Sequence, residues 1–221
     1  MNCFAHALPH LDDPYFAVGC CIPDWLSALD RKVRAREKLA IDFVDHDDEI
    51  VSALARGVVQ HHRDDDWFHR TPIFNELSLQ FAVELRELYG NERSMRPGLV
   101  GHILVELFLD AYLHERSPGK MDFFYEQVAR VKKQKVQDSV NLFTTRPTEK
   151  LVWMIERFCS EKFLYDYSTD GGTIYRLNRV LERIGLKKLD SAIDKWMPGA
   201  RQVVYENAVN LLRPHPTGGT D

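Results

Sequence analysis

The chain has 221 residues, 44% hydrophobic and 28% charged, with a formal net charge of −4. That size and apolar content suit one globular domain with its own core, and the mild negative charge offers no field for non-specific nucleic-acid binding. No apolar run approaches the ~20 residues of a membrane span, and MNCFAHALPHLDD lacks the basic start and apolar centre of a signal peptide. A soluble protein is expected, with no nucleic-acid or membrane partner. The four cysteines, Cys3, Cys20, Cys21 and Cys159, form no Cys-x-x-Cys, so a reduced, cytoplasmic setting is the default. Nothing in the sequence indicates an oligomeric state.

In chain order, residues 2–9 read as a short helix or turn ending at Pro9. Residues 14–29 are a buried apolar segment in which Pro23 opens a second turn with Asp24 just inside it. The charged stretch 30–42 reads as helix or loop. Residues 47–69 form a helix, because Ile50, Val51, Leu54, Ala55 and Val58 recur at the helical period. Pro72 separates it from a helix over 73–88, and Gly and Pro mark 89–98 as a loop. Residues 99–114 form the most apolar helix. Further helices are expected over 121–136, 147–166, 174–186, 189–197 and 202–212, with a loop at 167–173. No alternating strand pattern and no internal repeat is visible. The expected fold is therefore all-α, a single-domain multi-helix bundle over 1–212 with a disordered tail over 213–221.

Six of the nine histidines precede residue 70. His61, Asp65 and His69 recur every four residues, so a helix stacks them on one face. His102, Glu106 and Asp110 repeat the pattern inside the most apolar helix. A histidine or carboxylate on a buried face is costly unless something neutralises it. With His6 and Asp24 the set is a mixture of imidazoles and carboxylates without thiolates, which suits borderline divalent ions such as manganese, iron or zinc. The expected ligands are His6, Asp24, His61, Asp65, His102 and Glu106, converging on one pocket. Such ions activate water and hold phosphoryl oxygens, so phosphoester hydrolysis is the expected chemistry, with a phosphate ester as substrate. Asp24 or Glu106 would bridge ions or orient the nucleophile, and His62 or His69 would protonate the leaving group. Two other readings fit the same residues: a non-catalytic structural metal site or buried polar network, and a non-haem metal oxygenase. The absence of Glu-x-x-His pairs argues against a ferritin-like di-iron bundle.

MNCFAH at residues 1–6 and GCCIPDWL at 19–26 resemble the opening blocks of acyl carrier protein phosphodiesterases. The stretch from Gly57 to Pro72 is similar to the family's third block, G-x-x-x-H-R-x-I-D-x-F-T-D-x-H-P. Gly57, His61, Asp65 and Pro72 fall on its glycine, histidine, aspartate and proline. His62 replaces the arginine, His69 the later aspartate, Thr71 the second histidine, and Gly101-His102 stands for the family's Asp-His pair. The resemblance covers the first half of the chain. It implies an HD-like helical hydrolase, associated with manganese, that releases phosphopantetheine from acyl carrier protein.

Overall fold

The structure, a computed structural model, describes residues 1–90 and 95–213. Residues 214–221 of the expected tail and 91–94 of the expected loop lie outside the described residues. The described chain is all-α: α1 (Cys3–Ala7), α2 (Pro14–Leu29), α3 (Glu37–Ala40), α4 (Glu49–His69), α5 (Pro72–Tyr89), α6 (Pro97–Arg116), α7 (Lys120–Arg130), α8 (Lys133–Asn141), α9 (Leu151–Glu161), α10 (Asp170–Arg183) and α11 (Met197–Leu211), joined in part by 3-10 turns. Among the described residues there is no strand, only an isolated bridge between Ala35 and Thr144. No described helix is long and apolar enough to cross a membrane.

Two compact units are present. The first comprises Met1–Asp66 and Arg116–Phe163; the second comprises Trp67–Glu115 and the described residues from Leu164. In the first, α1 packs on α2, and α2 on α7 and α9. The centre is aromatic: the Phe4 and Phe124 ring centroids lie 5.9 Å apart, Trp25 and Phe158 4.9 Å. In the second, α5 packs on α11, with Phe81 edge-on to Trp196 at 5.2 Å. Phe81, Leu104 and Phe108 are fully buried there. α4 gives all but its last three residues to the first unit. Its first turn is capped by Asp48, whose carboxylate accepts from the backbone N–H of Ile50 and Val51 at 2.9 and 3.4 Å.

Several boundaries differ from expectation for identifiable reasons. Pro23 does not open a turn; it lies inside α2, which runs on to Leu29. The expected helix 121–136 is two helices, broken where Val131 turns extended (φ −67°, ψ 148°). Continuing α7 would carry the buried face of Met121, Tyr125 and Val128 onto Lys132 and Lys135, and the break instead brings Val136 and Val140 inside. The expected helix 147–166 begins at Leu151 and ends at Glu161, because Lys162 takes the left-handed conformation (φ 46°). α10 starts inside the expected loop, where the Thr169 hydroxyl accepts from Gly172 N–H at 3.1 Å. Residues 191–195 form a 3-10 turn, not a full helix. Cys3 and Cys21 form a disulfide between α1 and α2. No spacing motif announces that pair; the packing of α1 on α2 creates it.

Candidate metal centres

The first centre is built where α2 and α4 cross. A Cβ on Gly57 would stand 2.3 Å from Phe16 O and 2.7 Å from Gly19 Cα, and one on Gly19 2.5 Å from Leu54 O. Only glycine at both positions lets the backbones meet this closely. The consequence lies one turn along α4. His61 Nδ1 reaches the carbonyl oxygen of Cys20, the residue after Gly19, at 2.8 Å. A carbonyl only accepts, so Nδ1 carries the proton.

His6, on the last turn of α1, stacks on His61 with ring centroids 4.2 Å apart. Both rings are buried. His6 Nδ1 donates to Asp64 Oδ2 at 3.2 Å, and Nε2 faces Asp65 Oδ1 and Met1 O, each at 3.2 Å. His61 Nε2 stands 3.4 Å from Asp65 Oδ2. Each imidazole is thus anchored through Nδ1, one by a carboxylate and one by a backbone carbonyl, and turns Nε2 toward one aspartate. Histidine ligands of metal ions are held in this way.

The charges follow from the contacts. Burial, the largest influence on His6, pulls its pKa down, but the hydrogen bonds to Asp64 and Asp65 outweigh it and push it up to about 9. His61 is lowered to about 3, chiefly by burial and then by the neighbouring His6 charge. Burial works against ionisation of Asp65, yet the His6 hydrogen bond and nearby positive charge hold that carboxyl well below its ordinary value. A neutral His61 with its proton on Nδ1 points the Nε2 lone pair at a carboxylate. Two acceptors facing each other at 3.4 Å are relieved by a cation between them. Ligand atoms about 2.1 Å from a divalent ion stand about 3.0 Å apart at octahedral angles and about 3.4 Å at tetrahedral ones. The observed 3.2 and 3.4 Å fit that span.

The second group lies in the other unit. His102 and Glu106 are one turn apart on α6, and His69 ends α4. Glu106 Oε1 lies 2.8 Å from His69 Nε2 and 3.3 Å from His102 Nε2. Burial would raise the Glu106 carboxyl; positive charge nearby, including the His102 and His69 hydrogen bonds, holds it well below its ordinary value.

In both groups one ligand atom per residue lies within 4.8 Å of the others, so His6/His61/Asp65 and His69/His102/Glu106 are each able to hold a metal ion. The six expected ligands therefore do not form one set of adjacent atoms. Five of them divide between two groups, His6, His61 and Asp65 in one and His102 and Glu106 in the other. Asp24 falls in neither group; it sits on α2 one turn beyond Cys20. His62 Nε2 donates to Ala35 O at 2.8 Å, which commits that proton to a backbone carbonyl. Asp64, which is not among the expected ligands, anchors His6 and accepts from Gln60 Nε2 at 2.6 Å. The i, i+4 spacing of Gln60 and Asp64 was the available signal. Gly101 stands where the resembling family has an acid. A Cβ there would lie 2.9 Å from Ser78 O, so this position faces the backbone of α5 and no acidic side chain fits.

In chelator, stability is expected to depend on pH through these two histidines. His6 has a folded pKa of about 9 against an ordinary 6.5. Its contribution is complete below pH 6.5 and is lost as pH rises through 9. His61, held down to about 3, acts oppositely: keeping it neutral costs stability as pH falls below 6.5. Urea midpoints should decline on the alkaline side in the parent chain, and His6→Gln should remove that decline. An unchanged alkaline limb in the variant would show that His6 is not an imidazolium in the fold.

Comparison with protein-family models, with curated proteins and with solved structures returns no match.

Proposed function

We propose that the chain is a divalent-metal-dependent phosphoester hydrolase of HD-like helical build, with its centre at His6, His61 and Asp65. The observation that carries this reading is the paired orientation of the two buried imidazoles, each anchored through Nδ1 and each presenting Nε2 to Asp65. The blocks similar to acyl carrier protein phosphodiesterases point the same way, and the phosphopantetheine ester of an acyl carrier protein is the substrate that resemblance suggests. Manganese, iron or zinc suits the donor set.

A bound ion would supply Lewis acidity, lowering the pKa of water and neutralising charge on phosphoryl oxygens. His6 and His61 would hold it through Nε2, and Asp65 would bring the negative charge. Asp64 and the Cys20 carbonyl keep the rings from rotating. Asp24, one turn along α2 from Cys20, is the carboxylate proposed to orient the attacking water. Glu106 belongs to the other group, so no bridging role at this centre is assigned to it.

One observation favours a non-catalytic polar network. Both His6 nitrogens have acceptors, and the Met1 amino group lies 2.6 Å from Asp65 Oδ1, so the charges are balanced within the chain. Release of p-nitrophenol from bis(p-nitrophenyl) phosphate with manganese, cobalt or zinc separates the two. The hydrolase reading expects turnover that a chelator abolishes and metal restores. Tight metal binding without turnover on this ester or on a phosphopantetheinylated carrier protein would support the network.

A further inference from the structure

We propose that His69, His102 and Glu106 form a second metal site that loads independently of the first and takes a borderline first-row divalent ion. This site rests neither on the hydrolase reading nor on the first centre, since its three ligands all belong to the second unit.

Local geometry aims all three ligands at one point. The one-turn spacing of His102 and Glu106 puts both on the same face of α6. α6 is seated against α5 at Gly101, where a Cβ would lie 2.9 Å from Ser78 O and 3.2 Å from Ala82 N. That seating places the Phe74 ring of α5 against both imidazoles, with centroids 4.9 Å from His69 and 4.9 Å, edge-on, from His102. Thr71 caps α5 just after α4 ends, and Asn75 donates to His69 O at 3.0 Å. The chain carrying His69 is thereby held, and the two imidazole centroids stand 4.7 Å apart.

The convergence goes beyond a single ion pair. A carboxylate needs one imidazole to make an ion pair. Here two rings turn the same nitrogen onto the same oxygen, Oε1, at 2.8 and 3.3 Å. The His69 and His102 side chains are 32% and 36% exposed, so water is within reach of both and burial does not force the arrangement. The separations bracket the roughly 3.0 Å expected between adjacent ligands of an octahedral ion. Two imidazoles and one carboxylate, with no thiolate, suit zinc, manganese or iron(II). The exposed side of the rings leaves further positions to water or to an oxygen-donor ligand, as in open metal sites.

The test is metal stoichiometry on the full chain. The protein is stripped with chelator, titrated with cobalt(II), and followed by calorimetry and by the visible spectrum of the bound ion. The parent chain should bind two ions. Glu106→Gln and His69→Ala should each bind one, and Asp65→Asn should keep the ion that Glu106→Gln loses. Circular dichroism checks folding, and near-isosteric Glu106→Gln decides if His69→Ala does not fold. Two ions bound by Glu106→Gln would overturn the proposal, and so would loss of all metal, which would mean one composite site. If the parent binds one ion, its loss in Glu106→Gln alone supports the proposal and removes the first centre. Its loss in Asp65→Asn alone overturns the proposal and leaves the first centre standing.

Discussion

Gly57→Ala is expected to destabilise the chain by about 3 kcal/mol and to weaken metal binding at the first centre by roughly 10- to 100-fold. The added methyl would meet three backbone atoms, Phe16 O at 2.3 Å, Gly19 Cα at 2.7 Å and Cys20 N at 2.8 Å. Backbone atoms on a helix cannot swing aside as a side-chain tip can, so α2 and α4 must separate. Separation lengthens the 2.8 Å bond from His61 Nδ1 to Cys20 O. His61 then loses the partner that fixes its tautomer. Chemical denaturation and isothermal titration with zinc measure the two effects. A stable variant with parental zinc affinity would show that the crossing does not position His61.

Asp65→Asn is expected to lower metal-dependent hydrolysis at least about 100-fold and to destabilise the metal-free chain as well. The amide keeps the volume and removes the charge. In the metal-free chain Asp65 faces His6 Nε2 at 3.2 Å and the Met1 amino group at 2.6 Å, so the variant leaves positive groups facing a neutral amide. With metal, it removes the only carboxylate of the centre's three ligands. The two consequences separate the competing readings. Loss of stability with turnover never present marks a polar network, whereas loss of an existing turnover marks a catalytic centre. Parental rates in Asp65→Asn would exclude this aspartate from the chemistry.

What was legible in the sequence was local. The His61–Asp65 and His102–Glu106 pairs follow from one turn of helix, and both pairs are present. The helical period placed α4 and α6 to within two residues at each end. Nothing local, however, says which pair His6 joins, because that is decided by how α1 packs on α2 and α2 on α4. The division of the expected ligands into two groups is therefore tertiary information. His69 illustrates it: its position on the stripe with His61 and Asp65 is right, yet α6 supplies its partners. The break after Arg130 was readable in principle, since Lys132 and Lys135 fall on the face that α7 buries. Pro23 misled for the opposite reason: proline usually marks a helix start, and here the packed interior of α2 holds it within one.

Metal binding at the first centre requires His61 to present an unprotonated Nε2 to Asp65, and nitrogen NMR of the histidine ring in the full chain observes this atom directly. At neutral pH without metal, His61 is predicted to show a proton on Nδ1 and a bare Nε2, and zinc or cadmium should shift Nε2 while leaving Nδ1 protonated. A proton found on Nε2, or an Nε2 resonance that saturating metal does not move, would contradict it.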